Sequence, residues 1–221
     1  GVPIGKLLCA SNENNVLADF VATGTYDITA RTFVTTPSPS MDILISSNLE
    51  RLLFELAGAE KVREWMASLS AEGRFQVDRE TFGLMREHFI GDWVSNDESL
   101  GVIARVYDET GYLMDPHTAV AWEVAERLRD VNPVLVVSTA HWAKFGGDVF
   151  KALAGLLYAD PLPEDAAALT GVELLGKVRE LAESARVPRA LAELDTARQR
   201  FTGVVDAGTD GVENAVREWL G

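Results

Sequence analysis

Two short apolar runs in this chain each end in a polar turn that leads into a helical pattern. This repeated unit limits the possible folds more than any other feature. Leu7, Leu8, Cys9 and Ala10 end at Ser11 and Asn12. Asn14 and Asn15 then open a pattern in which Val16, Leu17, Phe20 and Val21 share one helix face, until Gly24 stops it. Val134, Leu135, Val136 and Val137 form the second run and read as the best strand in the chain. It stops at Ser138, Thr139, Ala140 and His141, with a helix expected over 149–157. Continuous apolar strands alternating with helices are the mark of a parallel sheet covered by helices. Polar turns at the carboxyl ends of such strands are where α/β folds bind ligands. The expected class is therefore α/β, rich in helix.

Between these units, residues 25–43 read as a long irregular loop, because Pro37 and Pro39 exclude regular structure. The next helix is expected to be capped by Ser46, Ser47 or Asn48, to bury Leu49, Leu52, Leu53 and Leu56, and to end at Gly58. Residues 59–105 read as mostly helical and charged, with a helix cap in 95–99. Asp115 followed by Pro116 is a strong helix start, a capping carboxylate before proline at the first helical position. Ala119, Val120, Val124 and Leu128 would face inward from that helix. After Pro161 the composition shifts to alanine, glutamate, leucine and arginine, with helices expected at 173–184, 188–200 and 211–220 and a weak strand at 201–206. The expected division is 1–160 and 161–221.

Composition excludes several function classes. With 34 acidic and 20 basic residues the net charge is −14, so a phosphate backbone would be repelled and a nucleic-acid role is not expected. No apolar run approaches the roughly 20 residues that span a bilayer, so no membrane role is expected. Cys9 is the single cysteine, which rules out an intrachain disulfide and fits a reducing, cytoplasmic setting. The first residues, Gly1-Val2-Pro3-Ile4-Gly5, lack the charged and apolar regions of a signal peptide.

Three polar segments follow or flank core elements: 11–15, 38–42 and 138–141. Each has a bland reading. Asn12, Asn14 and Asn15 suit a turn and helix cap, Ser40, Met41 and Asp42 a solvent loop, and Thr139 a serine/threonine turn. His117 and His141 suit satisfied structural histidines, and His88 a surface position. No ligand spacing supports a metal site. Lys144 reads as a solvated helix lysine.

Four blocks carry a family resemblance. They are Ala10-Ser11-Asn12-Glu13-Asn14-Asn15-Val16-Leu17, the stretch from Ser38-Pro39-Ser40-Met41-Asp42 to Phe54-Glu55, Asp115-Pro116-His117-Thr118-Ala119-Val120-Ala121, and Ser138-Thr139-Ala140-His141-Trp142-Ala143-Lys144-Phe145. In this order they resemble the C-terminal half of bacterial threonine synthase, over nearly the whole chain and least in 59–95 and 161–200. The resemblance implies part of the parallel sheet of a fold-type-II, tryptophan-synthase-β-like enzyme that uses pyridoxal phosphate (PLP). Such enzymes convert O-phospho-L-homoserine and water to L-threonine and phosphate. The resemblance also implies that the Schiff-base lysine and the phosphate cup lie in an N-terminal half outside this chain. On that reading the chain is a fragment truncated at its N-terminus, inactive by itself, with 1–160 belonging to the cofactor domain and 161–221 packing on it as an extension. Thr139 would face the pyridine nitrogen of the cofactor. Asn12, Asn14, Asn15, Ser40, Asp42 and His117 would help line the substrate pocket. Trp142 departs from the family pattern, which has proline there. A truncated sheet would expose an edge and favour self-association. A non-catalytic interaction module and a related lyase such as threonine dehydratase are the alternatives.

Overall fold

The computed structural model describes residues 3–200 and 202–221. It falls into two compact units, residues 1–188 and 189–221.

In the first unit, β1 (Leu7–Ser11) leads through the 12–15 turn into α1 (Val16–Thr23). Helix α1 ends at Gly24, whose φ of 73° lets its amide close on the Phe20 carbonyl at 2.8 Å. A Cβ there would lie 2.9 Å from the Phe82 ring, so glycine is required twice over. A short strand, β2 (Thr25–Asp27), precedes the irregular loop. Helix α2 (Leu49–Glu72) follows and passes through Gly58, which is non-helical at φ 79°. The expected stop at Gly58 is thus a break inside a longer helix, because leucines on both sides still find the same core.

Next come β3 (Arg74–Gln76), α3 (Arg79–His88), β4 (Phe89–Trp93) and α4 (Asn96–Thr110). Helix α4 starts with a capping box in which Ser95 and Glu98 satisfy each other's backbone amides. Helix α5 (Pro116–Leu128) starts at Asp115 as expected. Beyond it lie α6 (Gly146–Leu153), α7 (Glu164–Ala167) and α8 (Gly171–Leu181).

Strands β1 and β4 pair in parallel, with Leu7 opposite Phe89, Cys9 opposite Gly91 and Ser11 opposite Trp93. Strands β2 and β3 form an antiparallel pair that sets Tyr26 against Phe75. Those two rings stack at 5.3 Å, with Phe20 edge-on to Tyr26 at 5.7 Å and Trp65 stacked on Phe75 at 6.2 Å. This aromatic cluster, with Leu53 and Met85, is the main core. A second core joins Val94, Val120 and Val124 to Leu8, Ala10 and Met41.

Residues 134–137 run without regular secondary structure, with Leu135 89% and Val137 68% exposed. The composition that marks a strand is present, but no described segment supplies the neighbouring N–H and C=O groups that a ladder needs. Strands β2, β3 and β4 are not among the expected elements: β2 falls in the stretch read as loop, and β3 and β4 fall in the stretch read as helix. The expected 188–200 helix is reduced to α9 (Arg189–Ala192) and a single 3₁₀ turn. Of the weak strand expected at 201–206, Phe201 lies outside the described residues, and 202–206 form no strand. The second unit closes with α10 (Thr209–Leu220). Among the described residues no helix is long and apolar enough to cross a membrane, and no cluster of three histidine, cysteine, aspartate or glutamate residues is placed to hold a metal.

Candidate active site

The turn after β1 and the 34–42 loop are joined by a buried polar network. Asn12 Nδ2 lies within 2.8 Å of both Thr36 Oγ1 and Asp42 Oδ1, and 3.0 Å from Ser38 Oγ. Asn12 Oδ1 accepts the amide of Asn14 at 3.0 Å. The Asn14 side chain donates to the Val34 carbonyl at 2.8 Å and to Asp42 Oδ1 at 3.1 Å, and accepts the Val34 amide at 2.9 Å. Asp42 further accepts from the Thr36 amide at 3.0 Å and the Thr36 hydroxyl at 2.6 Å. Asn12, Asn14, Thr36 and Ser38 are all buried. Their groups are costly to strand from water, so the network gives the loop one conformation. Met41 adds an apolar anchor between Ser40 and Asp42.

Asn15 stands apart from this cluster. Its Oδ1 accepts from Arg31 at 2.5 Å, and Arg31 also pairs with Asp19.

A second set of contacts centres on Asp115. Its Oδ1 accepts the His117 amide at 3.0 Å and faces His117 Nδ1 at 3.0 Å, and its Oδ2 accepts from Thr118 Oγ1 at 2.5 Å. Burial pushes this carboxyl up, but the hydrogen bonds from the His117 ring, Thr118 and the His117 amide outweigh it and hold it below the usual range. His117 Nε2 receives the Ser40 amide at 3.2 Å, and Thr118 Oγ1 lies 3.0 Å from Ser138 Oγ. Ser40 and His117 are therefore brought together, and the chain of contacts reaches Ser138, the neighbour of Thr139.

Thr139 itself is exposed. His141 is half-buried, and its Nδ1 accepts the Ala143 amide at 3.2 Å. Beside it a cavity of about 280 Å³ is lined by Leu113, Asp115, His141, Trp142 and Arg186. Lys144 is exposed, with its ammonium 5.9 Å from the Phe145 ring centroid, and His88 is exposed on α3. Near Asp42 the rim is acidic: burial and then the carboxylates of Asp148, Asp42 and Glu13 push the Tyr158 phenol up.

Thr36 and Thr118 carry no site role in the sequence reading, and Ser138 enters it only as part of the 138–141 turn. The pattern Thr36-x-Ser38 ahead of Asp42 was visible, but which turn it serves depends on the fold. Asp115 was read only as a cap.

The family model "Threonine synthase, C-terminal" matches residues 118–184, which span most of α5 through α8. The crystal structure of yeast threonine synthase superposes on this fold with a TM-score of 0.78 and 33% identity, covering 100% of this chain and 43% of that one. This chain is a relative of the threonine synthases. PLP-bound threonine synthase from Brucella melitensis matches with a TM-score of 0.66 and 34% identity, over 85% of this chain and 42% of that one. Human "Threonine synthase-like 1" is 44% identical over 156 residues, 69% of this chain and 21% of that protein. The chain thus spans less than half the length of each of these threonine synthase relatives and corresponds to a C-terminal portion of them. PLP is the cofactor expected in the full threonine synthase.

Proposed function

We propose that this chain forms the C-terminal portion of a cytoplasmic threonine synthase, which turns O-phospho-L-homoserine and water into L-threonine and phosphate. The observation that carries the reading is at the second polar exit. Ser138 is held by Thr118 at 3.0 Å, and the neighbouring Thr139 is exposed at the end of the apolar 134–137 segment. A free hydroxyl there suits a neutral pyridine nitrogen, to which it can donate. When bound, PLP supplies an electron sink for charge that develops beside the substrate amine. Thr139 would tune that sink, since a carboxylate in its place would keep the ring nitrogen protonated.

The buried network supports a rigid pocket wall. Asn12, Asn14 and Asp42 form it, Ser40 is tied to it by His117, and Asn15 stands apart, bonded to Arg31. The acidic rim around Asp42 repels phosphate, so the cofactor and substrate phosphates would be held by the N-terminal portion. The exposed 134–137 segment suits pairing with strands of that portion. In this reading residues 1–160 belong to the cofactor domain and 161–221 form an extension.

Two measurements test the reading. The 221-residue chain mixed with PLP is expected to give no specific visible absorption band and no phosphate release. A stoichiometric band abolished by Lys144→Ala would overturn this. In the protein carrying both portions, Thr139→Val is expected to lower kcat by about 10–100-fold, the equivalent of about 1–3 kcal/mol, with Tm unchanged. An unchanged kcat removes the role assigned to Thr139.

The human relative at 44% identity is named for likeness to threonine synthase. That favours one second reading, a relative that keeps the fold with a different lyase activity, such as threonine dehydration, or with no catalysis. Turnover of O-phosphohomoserine by the protein carrying both portions discriminates between the readings.

A further inference from the structure

Helix α5 is already capped without the His117 ring. The Asp115 carboxylate takes the His117 amide, and its Oδ1 also lies 3.4 Å from the Thr118 amide. The imidazole therefore makes contacts that the helix start does not need. It is buried, 6% exposed, and lies against the Phe145 ring at 4.8 Å.

The direction of each contact fixes where the proton sits. An amide N–H can only donate, so His117 Nε2, which receives the Ser40 amide, carries no hydrogen. The neutral ring then carries its proton on Nδ1, which faces Asp115 Oδ1 at 3.0 Å. Both ring nitrogens are occupied, so the ring is not free to shuttle a proton. The other Asp115 oxygen accepts from Thr118 Oγ1, which lies 3.0 Å from Ser138 Oγ.

We propose that His117 is a positioning residue. As a fixed Nδ1–H tautomer it locks the 36–42 loop through the Ser40 amide, and the Asp115 carboxylate couples that lock to Ser138. The inference stands on this geometry alone and holds whichever reaction the longer protein performs. It predicts that the loop and the 138–141 segment respond together when the ring is removed, although they lie about 100 residues apart in sequence.

The test uses the 221-residue chain labelled with nitrogen-15. Long-range ring spectra are expected to show the Nδ1–H tautomer for His117. Amide exchange at Ser40 is expected to rise about tenfold or more in His117→Ala, the loss of one hydrogen bond. His117→Gln can accept from Ser40 and donate to Asp115, so it should restore most of the protection. His117→Ala should also shift the amide resonances of Ser138 and Thr139, which His117→Gln leaves near their original positions. An Nε2–H tautomer overturns the proposal. So does Ser40 exchange within about twofold of the unmutated chain in a folded alanine variant, or unmoved Ser138 and Thr139 resonances. The tautomer is read in the unmutated chain, so it decides the point even if His117→Ala fails to fold.

Discussion

Asp78 shows how one carboxylate can serve two elements. It caps α3 by accepting the Thr81 amide at 2.9 Å, and Lys61 of α2 reaches it at 2.8 Å. The Lys61 ammonium, helped by the Thr81 amide, draws its pKa down from the ordinary 3.8 to about 2. A carboxyl lowered on folding stabilises the native state above its unfolded pKa, and that contribution is lost as pH falls through the folded value. The pair is partly solvated, so screening leaves the cap as the larger part. Asp78→Ala is expected to cost about 1 kcal/mol at pH 7. The gap between variant and parent should narrow as pH falls from about 4 to about 2, as followed by urea unfolding monitored by circular dichroism. A gap that stays constant with pH would show that the charge contributes nothing.

At the scale of elements, the parallel pair β1–β4 is seated on α1 through a residue with no side chain. A Cβ on Gly91 would lie 3.0 Å from both Cα and the carbonyl oxygen of Ala18, and 3.1 Å from Val21 Cβ. Backbone atoms cannot swing aside, so Gly91→Ala is expected to destabilise by about 1–3 kcal/mol, read as a lower urea midpoint at unchanged m-value. An unchanged midpoint would mean the strand and helix are not packed this closely. The same pair shows why part of the fold was legible and part was not. Strand β1 announces itself as an apolar run ending in Ser11. Strand β4, Phe-Ile-Gly-Asp-Trp, continues the spacing of Met85 and Phe89 from α3, so locally it looks helical. Only pairing with β1, some 80 residues earlier, makes it a strand. Capping signals such as the polar 95–99 stretch and Asp115 with Pro116 are local chemistry and are readable for that reason. In the candidate site, the Asn12 turn and the Ser38–Asp42 segment each stood out. Their union through Asn12 and Asp42 did not, because a hydrogen bond across 30 residues leaves no periodic trace.

Taken as a whole, the first unit carries apolar surface that its own core does not cover. Leu135 and Val137 lie open on a segment without regular secondary structure, next to Val134 at 41% exposure. Exposed apolar chain with unpaired backbone groups favours association with another copy. Sedimentation of the 221-residue chain is expected to show concentration-dependent association that Leu135→Lys reduces without lowering Tm. A strictly monomeric parent would show that the segment is shielded. The net charge of −14 opposes such contacts, so added salt should strengthen them.

Met41 has a longer reach than its place in a loop implies. Its half-buried side chain packs against Val94, Val120 and Val124, so the surface segment that carries Ser40 and Asp42 is pinned to the core beneath it. Such a segment cannot lift like a hinged flap, because raising it would draw a thioether out of its apolar seat into water. Warming should therefore loosen it together with the body beneath it, in a single step.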